Sequence, residues 1–192
     1  MKNPFKVMLV LLAVSISFAS CKDDDDDTVV TPTPTPTEKS IYEKLGGTEM
    51  VEDPNNAGVM IEKGKLTLRS VVDSTIFVIA GDTLLQPYFT TLLGEVGQGD
   101  LSGFTALSMS LTNFFSAATG SKTITYNGRN MTDAHDPAKY SRMAQKADDA
   151  AMDAFIADVV TGAGQNGVPP TDPIIGEIGA LLETLRPQVV QR

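Results

Sequence analysis

The sequence predicts an all-α domain of about 150 residues, preceded by a secretory leader and a short linker. Three stretches, residues 101–115, 152–160 and 174–185, place apolar side chains on one face at steps of three and four. This spacing is the period of an α-helix. A fourth stretch, residues 65–81, is rich in β-branched residues and favours a strand by propensity. Because a single strand would have no partner, we expect a helix over residues 71–80.

The first residues are typical of an exported lipoprotein. Lys2 and Lys6 precede an apolar run of about 12 residues, the length of a signal-peptide core and too short to span a bilayer as a helix. The run ends in FAS before Cys21, the only cysteine of the chain. This segment resembles a bacterial lipoprotein box, which implies a signal peptide over residues 1–20 and lipidation of Cys21. The alternative is a buried, inert thiol.

Residues 21–39 are predicted to be a linker. Five consecutive aspartates repel one another and stay solvated, and the Thr-Pro repeat that follows favours extended backbone. A lysine and acidic residues directly after the cysteine resemble the surface-export signal of Bacteroidetes lipoproteins. We therefore expect an outer-membrane lipoprotein displayed on the cell surface, with the folded domain over residues 40–192. The alternative is a plain acidic linker on a lipoprotein at the periplasmic face.

Composition excludes several classes of protein. The net charge of −9 argues against nucleic acid as a partner. One histidine and one cysteine exclude metal clusters built from several such ligands, and no motif supports a Ser-His-Asp triad. An acidic metal site around Asp148, Asp149 and Asp153 has no recognisable loop spacing. The lone His135 is therefore either a structural histidine or a single axial ligand of a haem iron, which needs only one protein nitrogen.

Capping residues, prolines and glycines predict where helices begin and end. The last helix is expected to start after Asp172, with Pro173 at its first position, and to end before Pro187. Asp136-Pro137 indicates another helix start, just past the histidine. Loops are expected at residues 53–64 and around the glycines before the last helix (Gly162, Gly164 and Gly167).

Six pieces of the chain, in order, resemble a truncated haemoglobin of the group 1 type. IYEKLGG (41–47) is similar to the first helix with its paired glycines, and VVDSTIFVIAGDTLLQPYF (71–89) to helix B and the aromatic corner after it. LTNFFSAATG (111–120) is similar to the end of helix E. YNGRNMTDAH (126–135) is similar to the segment that carries the proximal histidine. Residues 153–170 and 181–190 are similar to helices G and H.

The resemblance implies a two-over-two helical sandwich, with insertions after the first helix and after the proximal histidine. It implies haem b as the cofactor, with His135 as the iron ligand. The other residues it places around the haem are apolar or aromatic: Ile76, Phe89, Leu107, Leu111, Phe114, Phe115, Tyr126, Met131 and Phe155. Among these, Ile76, Leu107 and Leu111 match the distal positions, and Tyr126 matches a tyrosine near the propionates.

The distal positions depart from the family's pattern. The family places a tyrosine on helix B and often a glutamine on helix E, and both donate hydrogen bonds to bound O2. Here the matching residues are apolar, with Thr75 and Thr112 as the nearest polar alternatives. Losing such a bond weakens O2 binding by roughly 10- to 100-fold. We therefore expect weak O2 binding, sensing of another diatomic gas such as CO or NO, or haem carriage, rather than O2 storage.

The insertion after the histidine, residues 136–148, has two interpretations. Its basic residues (Lys139, Arg142 and Lys146) either reach the haem propionates or form a solvated helix face. Met143 and Met109 are the available sixth ligands. Two functions remain open. One is a membrane-tethered haem globin that binds a gas or carries haem, which is not expected to be an enzyme. The other is a haem-free globin-like surface lipoprotein that acts as an interaction module.

Overall fold

The computed structural model describes residues 38–192; the predictions for the signal peptide, Cys21 and most of the linker lie outside these residues. The described chain has seven α-helices and one β-hairpin. Within it, no helix has both the length and the apolar character that a membrane span requires. The elements are α1 (Ile41–Lys44), β1 (Met50–Glu52), β2 (Met60–Glu62), α2 (Lys63–Gly81), α3 (Thr90–Gly97), α4 (Ser102–Ala118), α5 (Met131–Ala134), α6 (Asp149–Gln165) and α7 (Pro173–Val189), with a 3₁₀ helix at Gln86–Tyr88.

Four long helices form two packed pairs. Helix α2 packs on α4, α6 packs on α7, and the closest approach between the pairs is that of α2 and α6. A glycine makes this approach close: a Cβ on Gly162 would overlap the hydroxyl of Thr75 and lie 2.8 Å from the backbone nitrogen of Thr75. The arrangement agrees with the expected two-over-two sandwich, and the three periodic stretches lie in α4, α6 and α7 as predicted.

Helix α1 is a single capped turn that ends in two glycines. Ser40 and Glu43 cap each other's backbone at its start. Gly46 and Gly47 follow with φ of 117° and 56°, a region that side chains rarely adopt. The chain therefore reverses here, and the ring of Tyr42 is buried, with 1% exposure. The fold of this segment matches its resemblance to the first globin helix.

The β-branched stretch is helical, as expected for residues 71–80, but the helix begins earlier, at Lys63. Its buried residues recur at steps of three and four (Leu68, Val72, Ile76 and Ile79). Burial of this face against α4 and α6 outweighs the strand propensity, which spans only ~1 kcal/mol per residue.

The loop predicted over residues 53–64 is partly wrong. Met60–Glu62 form strand β2, which pairs antiparallel with β1, with Val51 opposite Ile61. Two strands of three residues give too short an alternation to be recognised in sequence. The turn between them is held by Asp53, which is 5% exposed and accepts hydrogen bonds from both Arg69 guanidinium nitrogens at 2.7 and 3.0 Å.

Three predicted helix boundaries are also wrong. No helix starts at Asp136-Pro137; the segment to Ala147 forms only isolated turns and is tied to α3 through Arg142 and to Val190, just after α7, through Ala147. Helix α6 continues through Gly162 and Gly164, and only Gly167, with φ of 82°, lies in the loop. Pro187 lies inside the last turn of α7, which continues to the buried Val189. The start of α7 is as predicted, with Asp172 capping and Pro173 first.

Candidate functional site

A cavity of about 680 Å³ lies between the helix pairs, bordered by α4 on one side and by α5 and the segment after it on the other. Its volume is in the range of ligand pockets, ~300–1,000 Å³. All ten residues predicted to surround a haem line this cavity: Ile76, Phe89, Leu107, Leu111, Phe114, Phe115, Tyr126, Met131, His135 and Phe155. The structure thus brings together side chains from α2, α4, α5 and α6 and from two loops.

Further residues line the cavity that the sequence did not single out. Some are polar or cationic: Ser102, Ser110, Tyr88, Arg129 and Tyr140. Others are apolar residues of the helix faces, such as Leu92, Met152, Leu182 and Leu185. The periodicity marks the second group as core, but it does not tell a residue that packs on protein from one that borders a cavity.

His135 lies where α5 ends, and its imidazole borders the cavity. Asn130 caps the helix by accepting a hydrogen bond from the Asp133 backbone at 2.8 Å, which fixes the turn that carries the histidine. The Nδ1 atom lies 2.8 Å from the carbonyl oxygen of Met131, to which it donates in the tautomer protonated at Nδ1. Among the described residues the imidazole has no other hydrogen-bond partner. In that tautomer Nε2 is an unprotonated electron-pair donor, and histidines that bind metals are oriented by such a bond to a carbonyl.

The pKa of His135 is lowered by burial, which outweighs the opposing effect of the Met131 carbonyl. Burial disfavours the charged imidazolium, so the neutral ring persists to lower pH than in an exposed histidine. The neutral ring is the form that coordinates metal ions. The local electrostatics therefore keep the only imidazole of the chain ready to act as a ligand.

The wall opposite His135 in the globin pattern has no polar side chain at the three distal positions. Ile76, Leu107 and Leu111 all border the cavity. The hydroxyl of Thr75 instead donates to the Val71 carbonyl at 2.8 Å and lies against α6, away from the cavity. Thr112 is buried and is absent from the cavity wall; its hydroxyl has no partner among the described residues. Neither threonine supplies a donor to a ligand in the cavity.

A second, much smaller cavity of about 50 Å³ lies behind this wall, between α2, α6 and the start of α7. Its lining is apolar, apart from the hydroxyls of two threonines. Three residues border both cavities: Leu111, Phe115 and Phe155. Leu111, Phe115 and Phe155 therefore separate the two cavities and have a cavity on each side.

Aromatic and cationic side chains gather at one edge of the large cavity. The guanidinium of Arg129 lies 4.8 Å from the centre of the Tyr140 ring, and the Tyr126 hydroxyl donates to the Arg129 carbonyl at 3.0 Å. The Tyr126 ring in turn packs edge-on against Phe114. Arg129 forms no ion pair with a described carboxylate, so its charge remains available to an anionic group.

Of the residues that the insertion was expected to supply, Arg142 and Met143 border the cavity, whereas Lys139 and Lys146 are exposed and do not. Arg142 binds the carboxylate of Glu95. Met109 is 62% exposed on α4 and lies outside the cavity wall, so the prediction of Met109 as a sixth ligand is wrong.

The acidic residues around the start of α6 bind arginines. Asp149 and Asp153 both accept from Arg186 of α7, at 3.0 and 2.6 Å. Asp148 caps α6 and accepts from Arg192. Within residues 38–192 no cluster of three or more metal-ligating side chains occurs. These carboxylates therefore join the start of α6 to the end of α7 and to Arg192 after it.

Comparison with models of known protein families finds no match, and comparison with curated protein sequences finds none either. Solved structures do match. Three of them are variants of the truncated haemoglobin of Tetrahymena pyriformis in the Fe(III) form. Each is 21% identical to this chain, covers 80% of this chain and 100% of its own, and superposes with a TM-score of 0.56. The described domain therefore has the truncated-globin fold.

Proposed function

We propose that this domain binds haem b in the large cavity, with His135 as the protein ligand of the iron. One observation carries the proposal. The only histidine of the chain borders this cavity of about 680 Å³, and its Nδ1 atom is engaged by the Met131 carbonyl, which leaves Nε2 for a metal. The same fold in the Tetrahymena pyriformis protein is that of a haemoglobin.

The residues present fit such a cofactor. The cavity walls are mostly aliphatic and aromatic, as an apolar macrocycle requires. The cationic Arg129 and the hydroxyl-bearing Tyr140 lie at one edge, where carboxylate substituents would find a charge partner and remain near solvent. Lowering of the His135 pKa by burial keeps the imidazole neutral. Apolar walls, one neutral nitrogen ligand and a cationic edge together suit a haem whose iron is held by histidine.

Haem, when bound, supplies an iron atom that takes a diatomic gas as a further ligand. The residues of this chain then decide how that gas is held. Ile76, Leu107 and Leu111, which match the distal positions, present only hydrocarbon to the cavity, so none of these three side chains donates a hydrogen bond to the gas. Bound O2 is strongly dipolar and depends on such a bond, worth ~1.5–3 kcal/mol, more than CO or NO does. The function we propose is therefore binding of a diatomic gas with weak preference for O2, or carriage of haem.

The lipoprotein character belongs to the same proposal. A Cys21 anchor would tether the domain to the outer membrane, and the acidic and Thr-Pro linker of residues 21–39 would hold it away from the lipid surface. The sequence of the first 39 residues supports this interpretation. Cys21→Ser is expected to move the protein from the membrane to the soluble fraction. Cleavage of the domain by protease added to intact cells is expected for surface display; resistance there would place it at the periplasmic face.

The test of the haem proposal is an absorption spectrum of the protein supplied with haem. We expect an intense Soret band at one haem per chain, lost or strongly reduced in His135→Ala and partly recovered when free imidazole is added. Thr132→Ala is the matched control, because its exposed side chain lies on the same short helix and makes no described hydrogen bond. A spectrum that is the same in His135→Ala and in the wild type would refute the ligand assignment.

A different observation favours the second function, an interaction module. Phe77 is 65% exposed on α2 and packs on Phe104 of α4, with ring centres 5.2 Å apart. Exposed aromatic pairs of this kind are common in protein–protein interfaces. If the wild type binds no haem, this surface becomes the better starting point. Phe77→Ser would then be expected to weaken whatever association the haem-free domain shows, without lowering its stability.

A further inference from the structure

One ion pair beside the cavity joins the segment after His135 to α3. Arg142, in the segment after His135, donates through both terminal nitrogens to the two carboxylate oxygens of Glu95, at 2.8 Å for the Nη1–Oε1 contact. Glu95 lies on α3. The two side chains are 36% and 25% exposed, so the pair is partly shielded from water. A bidentate pair in this setting is more strongly fixed in geometry than an ordinary surface contact.

The pair rests on the first turn of α4, and a glycine makes room for it. A Cβ on Gly103 would overlap both Glu95 Oε2 and Arg142 Nη2. Gly103 and Arg142 also border the cavity. Gly103 is the second residue of α4, and a residue without a side chain is what leaves space for the two charged groups.

The Arg142–Glu95 pair connects parts of the chain that continue into residues around the cavity. The segment of Arg142 starts at His135 and ends at Ala147, which is buried and paired with Val190 beyond α7. On the other side, α4 carries the distal residues Leu107 and Leu111. The Arg142–Glu95 contact therefore joins the irregular segment that follows His135 to α3, directly beside the first turn of α4, the helix that carries the distal positions.

We propose that the Arg142–Glu95 pair, seated on Gly103, is a latch that closes the cavity and sets how long it retains its ligand. The ligand assignment rests on the proposed function, haem binding. A planar ligand leaves only when the segment after His135 separates from α3 and α4, and this separation breaks the ion pair. Arg142 acts through the cavity walls and is thus a positioning residue; Arg129 remains the cation available to the ligand.

The test measures the rate at which the loaded protein loses haem to an excess of a globin acceptor. Glu95→Gln and Arg142→Gln are each expected to accelerate the loss by about 5- to 10-fold, the range between an exposed pair and a charge-assisted hydrogen bond. The double variant is expected to lose haem at the same rate as the single variants, because both substitutions remove the same contact. Gly103→Ala, which alters no charge, is expected to accelerate loss as well. The control is Glu49→Gln, which removes an exposed pair with Lys63 in the hairpin.

An unchanged rate of haem loss in the two single variants would overturn the latch proposal. Additive effects on this rate in the double variant would also overturn it. Failure of the wild type to bind haem through His135 would instead overturn the proposed function. The latch is then judged in the haem-free protein by limited trypsin digestion. Cleavage after Lys139 and Lys146 is the readout, because a cut after Arg142 would report only the release of its own side chain. Faster cleavage in Glu95→Gln than in Glu49→Gln supports the latch, and equal rates overturn it.

Discussion

Asp158 is a buried carboxylate whose ionisation should oppose folding. It lies on α6, is 7% exposed, and its Oδ2 atom has no hydrogen-bond partner among the described residues. Burial, with a smaller contribution from the charge of Asp82, raises the pKa of Asp158 to about 6. Its pKa in the unfolded chain is ~3.9, and each unit of difference corresponds to ~1.36 kcal/mol. Ionising this group in the folded protein therefore costs about 3 kcal/mol.

The sign of the pH dependence follows from proton binding. Between about pH 4 and pH 6 the folded state holds the Asp158 proton more tightly than the unfolded state does. The contribution of this group to stability is therefore full below pH 4 and is lost as the pH rises through 6. Asp158→Asn keeps the size of the side chain and removes the charge. The buried amide still needs hydrogen-bond partners. We therefore expect the free energy of unfolding of Asp158→Asn to exceed that of the wild type by about 1–2 kcal/mol at pH 8, and we expect this difference to disappear near pH 4.

The assay is urea unfolding followed by circular dichroism from pH 4 to pH 8, with both proteins in the same haem state. Asp82→Asn is the informative companion, because Asp82 is the lesser cause of the raised pKa and its amide variant can still accept the hydrogen bond from Leu84. We expect Asp82→Asn to raise the free energy of unfolding at pH 8 by less than Asp158→Asn does. If wild type and Asp158→Asn show parallel stability profiles over this range, the carboxylate is not protonated with a raised pKa and the reasoning is wrong.

Three further predictions concern the helix crossing, the cavity and the hairpin. Gly162→Ala should destabilise the fold by ~1–3 kcal/mol in urea unfolding, because its Cβ overlaps Thr75 and forces α2 and α6 apart. Leu107→Gln places an amide donor on the apolar cavity wall and should tighten O2 binding by roughly 10- to 100-fold in gas titration of the haem-loaded protein. Asp53→Asn should lower the Tm at pH 7, since Arg69 holds the pKa of Asp53 well below its usual range. The stability supplied by that depressed pKa is lost as the pH falls below about 4, so the difference in Tm should narrow there.

Each of these has a control within the same element or a clear contrary result. Gly164→Ala meets no atom within 4 Å and should leave stability unchanged or slightly raised; an equal loss at both glycines would contradict the crossing argument. Met109→Gln, exposed on the same helix as Leu107, should not change O2 affinity. For the hairpin, a Tm difference that is constant from pH 3 to pH 7 would show that the Arg69 contact does not act through the ionised carboxylate.

The sequence alone was sufficient for the helix faces and for the fold class, and it led to the proposal of His135 as a ligand. Apolar side chains at steps of three and four must be buried on one side, so the stretches in α4, α6 and α7 were predictable from their spacing. The likeness of residues 126–135 to a proximal segment was visible because its residues are contiguous in the chain. The other pieces occur in the same order as in the family, and this order predicted the two-over-two sandwich. Asp172 and Pro173 act on their own helix, so the start of α7 was also predictable.

Contacts between residues far apart in the chain were decided only by the tertiary structure. Strand β2 exists because Met50–Glu52 lies beside it, and α2 overrides its strand propensity because α4 and α6 bury it. Pro187 stays inside α7 because Val189 is held in the core and Val190 pairs with Ala147. The Arg142–Glu95 pair over Gly103 joins three separate elements, and nothing in the spacing of these residues indicates it. Local patterns report which side of an element is buried, whereas the partner that buries it is a property of the folded chain.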